Sequence, residues 1–417
     1  MISVIFLLLA FCFYVIIYAK SHDLLHPLGI GVLLWFLAAS LSNVETLFDP
    51  YLQVTLSLNT NIAIFFGGFF FSIPFVFSKK IDKNIFIFQR YNFTNSYRYL
   101  FNFFALLSFI AFTVRFQNAL LTPPLLFGTT VDLKESVPDA VPIINFADVS
   151  IPFLALLCVF ELKYSVKVPA IRKFVLVGYI IFCIITTLVY KVSRGEFLAF
   201  ALGFIYLLLI SKRISVRLRQ LIIVCLFFSL FFYMGTLRIS GVSRVSTQFG
   251  EGAQSMVLSQ IYTYIAMNFQ NLNALITSNF EPTYIWGSLR FFLKPFFSDY
   301  YDKNTFGLTD YYTLFFNAKT FLYYFYNDLG LAGVIIYPLI IGVLIQSLYN
   351  KSVNNIKYFV LIACFMKAIV FLFFGNYFFG ELVIMAAYII VFIILRNCVL
   401  TVNPRVCIEK NTCDNNM

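Results

Sequence analysis

The sequence predicts an all-α polytopic membrane protein. The chain has 417 residues, of which 61% are hydrophobic and only 12% are charged, an apolar excess that a soluble core does not need. Its apolar residues fall into repeated runs near the length of about 20 residues with which a helix crosses a bilayer. Its basic residues collect in alternate connections between those runs, the distribution that orients helices in a membrane.

Eleven apolar runs are predicted to cross the membrane within one integral membrane domain, residues 1–417. No basic segment precedes the first run and no small-residue cleavage site follows it, so we expect a retained helix rather than a signal peptide. The predicted spans are 1–19, 27–42, 61–78, 99–115, 146–162, 174–190, 196–211, 220–237, 329–349, 358–374 and 381–396.

The positions of Lys and Arg predict which ends of these spans face the cytoplasm. Because basic loops stay in the cytoplasm, the N-terminus and the long connection 238–328 are predicted to lie outside. The net charge of +11 follows from the same bias, so it gives no indication of nucleic-acid binding. The segments rich in basic residues are 79–98, 163–173, 212–219, 350–357 and the C-terminal tail.

Cysteine and histidine content argues against disulfides and metal sites. The eight cysteines lie in apolar runs or in the C-terminal tail, and no predicted outside loop contains one. The two histidines, His22 and His26, fall on the predicted cytoplasmic side, and no CxxC pair accompanies them. A glycine-rich nucleotide loop is also missing. The sequence therefore predicts no metal and no cofactor.

The connection 238–328 is the largest polar segment of the chain and is rich in aromatic residues. We expect short interfacial helices within it, and the stretch 254–278 is amphipathic enough to lie in the membrane interface. Its tyrosines fit either an aromatic belt at the membrane surface or a surface that stacks on sugar rings. Because no histidine is predicted outside, a catalytic base has to be a carboxylate. The candidates on the outer side are Glu196, Glu251, Glu281, Asp299, Asp302, Asp310 and Asp328.

The motif Ser193-Arg194-Gly195-Glu196 begins the seventh span on its outer side. Ser followed three residues later by Glu is a capping box, so Ser193 and Glu196 are predicted to cap the helix. Arg194 and the nearby Lys191 place cations beside the exposed N–H groups of a helix N-terminus, a combination that binds anions. The alternative is that Arg194 reaches to lipid headgroups.

Three further arginines extend this candidate anion site. Arg238 and Arg244 follow the eighth span on the outer side, where the chain's own charge bias disfavours arginine. A guanidinium binds phosphate through two parallel hydrogen bonds, so these arginines, Arg194 and Lys191 are predicted to converge on one phosphorylated ligand. Arg290 is a further candidate ligand, and a salt bridge to a loop carboxylate is its alternative role.

Two ionisable residues near the outer surface receive separate predictions. Lys367 is predicted about 12 Å inside the outer end of the tenth span, a depth at which an ionisable group is normally paired or functional. Asp328 and Glu381 are its predicted partners. Asp328 also lies just before Gly330, which makes it a candidate N-cap for the ninth span.

These features together resemble the bacterial O-antigen polymerases, the Wzy-type oligosaccharide repeat unit polymerases. The resemblance rests on the number of spans, the Arg-Gly pair at the outer start of a middle span and the large outer loop. The spacing from arginine to a following glycine that some members carry is not matched here. The segments that carry the resemblance are Ser193-Arg194-Gly195-Glu196, Tyr262-Thr263-Tyr264, Phe316-Asn317-Ala318-Lys319-Thr320 and Asp328-Leu329-Gly330-Leu331-Ala332-Gly333.

The resemblance implies an all-helical, metal-independent, lipid-dependent glycosyltransferase of the GT-C-like class in a bacterial inner membrane. It would join undecaprenyl-pyrophosphate-linked oligosaccharide repeats into a surface polysaccharide on the periplasmic face. The growing glycan would move onto the non-reducing end of a new repeat unit. Arg194, Arg238 and Arg244 would bind the pyrophosphate, and Glu196 or Glu281 would polarise the attacking hydroxyl. Membrane lipid and a chain-length regulator protein are the further partners implied.

Other functions compete with polymerisation. A flippase or transporter of the same lipid-linked sugars needs a polar cavity open alternately to both sides, whereas these spans carry few polar residues. An O-antigen ligase moves finished glycan to another acceptor, and related ligases tend to use an outer-loop histidine that is not predicted here. A scaffolding protein would not need the outside arginines.

Overall fold

A computed structural model describes residues 1–44, 53–80, 89–127, 137–138, 142–209, 265–278, 281–293, 296–299, 318–378 and 382–400. The described residues are mostly helical, as expected of a helical membrane protein. Two of their shorter helices, Pro27–Ser42 and Val383–Arg396, are apolar. Five helices are long and apolar enough to cross a membrane: Ile2–Ser21, Leu58–Phe77, Asn95–Arg115, Ala170–Tyr190 and Leu331–Asn354.

Helices occupy ten of the eleven ranges predicted as spans, and the remaining range, 220–237, lies outside the described residues. The bounds are α1 Ile2–Ser21, α2 Pro27–Ser42, α3 Leu58–Ser72 with a 3₁₀ turn Ile73–Phe77, α4 Asn95–Arg115, α5 Pro124–Phe127, α6 Pro142–Val149, α7 Ile151–Tyr164, α8 Ala170–Ile185 with a π-helical turn Thr186–Tyr190, α9 Arg194–Leu209, α10 Asn268–Thr277, α11 Arg290–Leu293, α12 Phe321–Leu329, α13 Leu331–Asn354, α14 Lys357–Val370 and α15 Leu382–Arg396.

The chain divides into two compact units, each built from separate stretches of sequence. Unit 1 comprises residues 1–79, 241–347 and 368–382, and unit 2 comprises residues 80–240, 348–367 and 383–417.

Trp35 forms the centre of unit 1. Its indole packs edge-on against Phe269 of α10 and Phe321 of α12, with ring centroids 5.0 and 4.9 Å apart. Its ring N–H donates to the carbonyl of Ile64 on α3 at 2.9 Å, so the buried polar atom is satisfied. Gly68 leaves room for this ring, since a Cβ there would come within 2.7 Å of it. One large side chain therefore joins α2, α3, α10 and α12.

Helix α7 forms the centre of unit 2. Every one of its residues except Leu162 and Lys163 is buried, so this helix is surrounded by protein. Gly203 of α9 packs against it closely, because a Cβ at that position would lie 2.6 Å from Leu156 and 2.7 Å from the carbonyl of Ala363 on α14. Small residues permit this kind of close helix contact in membrane proteins.

A short antiparallel ribbon, β1 Tyr91–Phe93 with β2 Cys398–Leu400, was not predicted from the sequence. Tyr91 pairs with Leu400 and Phe93 with Cys398. The Gln89 side chain, two residues before β1, donates to the carbonyl of Asn354 at 2.7 Å, so the connection before α14 also contacts this ribbon's end. These three contacting segments are ones that the charge pattern predicts on the same, cytoplasmic side of the membrane.

Candidate functional site

The predicted site motif follows a distorted end of helix α8. A π-helical turn, Thr186–Tyr190, replaces regular helix there, and such turns are frequent at functional sites. The next-but-one residue, Val192, is buried and has φ 46°, a left-handed conformation that costs a β-branched residue on the order of 1–3 kcal/mol. This strained turn reverses the chain and starts α9 at Arg194.

Lys191 lies at the centre of a buried ion network. Its Nζ lies 2.9 Å from Asp148 Oδ2 and 2.7 Å from Glu196 Oε2, and it donates to the carbonyl of Asp148 at 3.0 Å. Arg115, the last residue of α4, contacts the same Asp148 oxygen at 2.6 Å and donates through Nε to the carbonyl of Pro138 at 2.9 Å. Two cations and two carboxylates therefore meet where α4, α6 and α8 end and α9 begins.

Burial in this network increases from Glu196 inward. The side chains of Glu196, Arg115, Lys191 and Asp148 are 23%, 15%, 2% and 0% exposed. Burial lowers the pKa of Lys191, but the carboxylates of Glu196 and Asp148 outweigh that effect, so the pKa is raised and the amine stays charged. Formal charges within the network cancel, and Glu196 is its most exposed member. Asp148 Oδ1 is buried without a hydrogen-bond partner among the described residues.

The capping box predicted at Ser193 forms only in part. Ser193 Oγ accepts the N–H of Glu196 at 3.3 Å, as the motif predicts. The reciprocal bond is replaced, because the N–H of Ser193 donates to the carbonyl of Thr187 at 2.9 Å and the Glu196 carboxylate binds Lys191. The motif therefore positions Glu196 for the ion network rather than for its own helix cap.

Gly195 brings Lys367 against the start of α9. A Cβ at Gly195 would lie 3.2 Å from Lys367 Nζ, so the absence of a side chain admits the amine. Lys367 and the half-buried Arg194 thus add positive charge to a 16-residue helix whose N-terminus is already positive. An anion there would be favoured by both cations and by the helix dipole. Of the partners predicted for Lys367, Glu381 lies outside the described residues.

Asp328, the other predicted partner of Lys367, is held in unit 1 by uncharged donors. Its Oδ1 accepts the hydroxyl of Thr283 at 2.6 Å and the N–H of Gly287 at 2.9 Å, and its Oδ2 accepts the N–H of Ser288 at 2.9 Å. It lies in the last turn of α12 instead of capping α13. Burial raises the pKa of Asp328 above its usual value, although these hydrogen bonds oppose the shift.

The loop that binds Asp328 has two unusual backbone features. Tyr284 has φ 52°, a left-handed conformation. Gly287 permits the close approach of the carboxylate, because a Cβ there would overlap Asp328 Oδ1 and come within 2.7 Å of Thr283 Oγ1. The carboxylate thus fixes the segment 283–288 to α12.

Helix α10 lies in the stretch 254–278, which is predicted to be interfacial. Its amide side chains make hydrogen bonds to the segment 54–60. Gln270 exchanges two hydrogen bonds with the backbone of Val54, at 2.9 and 3.3 Å. Asn273 Oδ1 accepts the N–H of Ser57 at 2.9 Å and the hydroxyl of Thr60 at 2.8 Å. Residues 268–273 and 275 of α10 are buried, so α10 is a buried structural helix of unit 1.

The remaining predicted site residues are not brought together by the described structure. Glu281 is exposed in unit 1. Arg290 begins the short helix α11, and its side chain lies outside the described part of the chain. Arg238 and Arg244 also lie outside the described residues. Among the described residues, no group of three or more His, Cys, Asp or Glu side chains could hold a metal ion.

No protein-family model matches this chain, and no curated protein or solved structure is significantly similar to it. The function therefore has to be argued from the site itself.

Proposed function

We propose that the chain is a bacterial inner-membrane glycosyltransferase of the O-antigen polymerase type. It has eleven spans in a GT-C-like fold, with 238–328 in the periplasm. The acceptor is a repeat unit on undecaprenyl pyrophosphate, and its non-reducing hydroxyl oxygen bonds to the anomeric carbon of a growing chain on a second carrier. The bond from that carbon to the carrier's pyrophosphate breaks, and undecaprenyl pyrophosphate leaves.

The observation that carries the proposal is the start of α9. Arg194 and Lys367 add cationic groups to the N-terminus of α9, and the absence of a side chain at Gly195 admits the Lys367 amine to it. A leaving pyrophosphate gains negative charge in the transition state, and positioned donors stabilise such charge. The substrate supplies the leaving group, so no nucleotide is needed.

The ion network assigns different roles to the two basic residues of the motif. Lys191 is committed to Asp148 and Glu196, so its role in the proposal is to position Glu196. Arg194 is the principal ligand of the pyrophosphate in this proposal. Glu196 accepts the proton of the attacking hydroxyl.

The test is deletion of this chain from its host, followed by gel separation of the surface glycan. We expect the long ladder to be lost while a single repeat remains, and the wild-type chain to restore the ladder. Arg194→Ala should not restore it, although it should accumulate in the membrane like wild type. The matched control is Lys173→Ala, which removes an exposed cation at the start of α8.

Two results would contradict the proposal. If even the single repeat disappeared from the surface and lipid-linked repeats accumulated inside, the chain would be a flippase. If Arg194→Ala restored the full ladder, the start of α9 would not be the site.

A further inference from the structure

A pocket of about 220 Å³ lies in unit 2 between the start of α14 and the end of α15. Its two basic residues, Lys357 and Arg396, are the first residue of α14 and the last residue of α15. Leu361 and Phe392 lie four residues further into each helix, which places them on the same helix faces as the cations. The pocket therefore has a cationic mouth and an apolar interior. The lining residues are Lys357, Tyr358, Leu361, Phe392, Leu395 and Arg396.

The backbone beside both cations is hydrogen-bonded to side chains of the segment 91–94. The backbone N–H of Lys357 donates to the hydroxyl of Tyr91 at 3.2 Å, and that hydroxyl donates to Asn355 Oδ1 at 2.6 Å. Arg396 is followed directly by Asn397, whose carbonyl accepts the hydroxyl of Thr94 at 2.8 Å. The two helix ends that carry the cations are thus tied to one short segment, which makes the cationic mouth a preorganised feature.

These cations are not neutralised by carboxylates of the described residues. None of the four ion pairs found there includes Lys357 or Arg396. A third cation, Lys351, lies near them, since Lys351 and Lys357 approach the ring of Tyr358 at 6.0 and 5.8 Å. Two basic groups therefore line the pocket, and Lys351 adds a third beside the lining residue Tyr358.

A second, larger pocket of unit 2 shows the contrast. It has a volume of about 510 Å³ and includes Arg172. That guanidinium is bound by both oxygens of Glu161, at 2.9 and 2.8 Å, and donates to Asn102 at 2.7 Å. Its charge is compensated within the protein, so of these two pockets the smaller has the stronger attraction for an anion.

We propose that the smaller pocket binds an anionic phospholipid of the cytoplasmic leaflet. The lipid phosphate lies between Lys357 and Arg396, and an acyl chain follows the exposed apolar side chains of α15, Ile389, Phe392 and Ile393. The basic loops place this end of unit 2 on the predicted cytoplasmic side, where anionic lipids concentrate and basic pockets between helices bind their headgroups. This site does not depend on the proposed glycosyltransferase activity.

The test is native mass spectrometry of the purified full-length chain titrated with dioleoyl phosphatidylglycerol. The double variant Lys357→Gln/Arg396→Gln keeps a polar side chain at both positions and removes both charges. We expect its dissociation constant to rise about fivefold for each cation removed, and each single variant to show one such step. The control is Lys167→Gln/Lys173→Gln, which removes two exposed cations that do not line the pocket and should bind like wild type.

Three outcomes would overturn the proposal. The first is unchanged binding of phosphatidylglycerol by the double variant. The second is binding of dioleoyl phosphatidylcholine as strong as that of phosphatidylglycerol, which would show that charge is not recognised. The third is complete displacement by millimolar inorganic phosphate, which would show a phosphate site rather than a lipid site.

Discussion

Two fully buried aspartates, Asp148 in unit 2 and Asp328 in unit 1, differ in the groups that bind them. Asp148 contacts two cations, Arg115 and Lys191, at 2.6 and 2.9 Å. Among the described residues, Asp328 accepts hydrogen bonds from uncharged groups, including the hydroxyl of Thr283 and the backbone N–H groups of Gly287 and Ser288. Each aspartate lies near a residue with positive φ, Val192 or Tyr284.

The difference separates a charge-dependent region from one that depends on geometry. Removing the charge of Asp148 would leave Arg115 and Lys191 with Glu196 as the one remaining carboxylate of the network, and an excess positive charge in a largely buried site costs more than an ion pair gains. Removing the charge of Asp328 leaves neutral donors that still find an oxygen acceptor. The ionic region belongs to the candidate site, whereas the neutral region fixes a loop.

The largest expected effect comes from neutralising each aspartate without changing its shape. Asp148→Asn should lower the free energy of unfolding by about 3–5 kcal/mol, because one acceptor of two buried cations is lost. Asp328→Asn should cost about 1–3 kcal/mol, the cost of one unsatisfied donor. Thermal unfolding of both purified variants in the same detergent measures the difference, and equal losses would remove the distinction.

Glu196 extends the comparison from stability to activity. Glu196→Gln should slow elongation by about 10²–10⁴-fold, the usual contribution of a general base. Its unfolding temperature should fall less than that of Asp148→Asn, because its side chain is 23% exposed. The matched control is Glu281→Gln, which changes an exposed carboxylate of unit 1. If Glu281→Gln lost activity while Glu196→Gln kept it, Glu281 and not Glu196 would be the general base.

Gly287→Ala tests the geometric region without altering any charge. The new methyl group would overlap Asp328 Oδ1 and crowd Thr283. We expect a loss of about 1–3 kcal/mol in stability, typical of overpacking. Gly178→Ala is the control, because nothing lies within 4 Å of a Cβ at that position. Equal stability of the two variants would show that the loop adjusts freely.

The smallest expected effect is a pH dependence from Asp328. Its pKa is raised in the folded state by burial, so folding favours the protonated form. The stabilisation is complete below the ordinary pKa near 3.8 and is lost as pH rises through the higher folded value. Unfolding temperatures of wild type should therefore fall relative to Asp328→Asn as pH rises from about 4 toward 7. A constant difference would contradict the shift.

The helices were predictable because apolar runs identify them locally, and so was the turn at 191–196. The ion network around Lys191 was not predictable, although two of its members, Arg115 and Asp148, lie at the predicted outer ends of spans four and five. Asp148 is 43 residues from Lys191, and no local pattern reports contacts over that distance. The sequence predicts a carboxylate partner for Lys367, but no local pattern indicates that its amine approaches Gly195 at the start of α9. The ribbon β1–β2 was missed because its three-residue strands carry no periodic signal.

The most direct test of the account is elongation by the purified chain supplied with synthetic undecaprenyl-pyrophosphate-linked repeats in the presence of EDTA. We predict a ladder of products from the wild-type chain and none from folded Arg194→Ala. No extension by folded wild-type protein, or a full ladder from Arg194→Ala, would contradict the assignment of the start of α9 as a polymerase site.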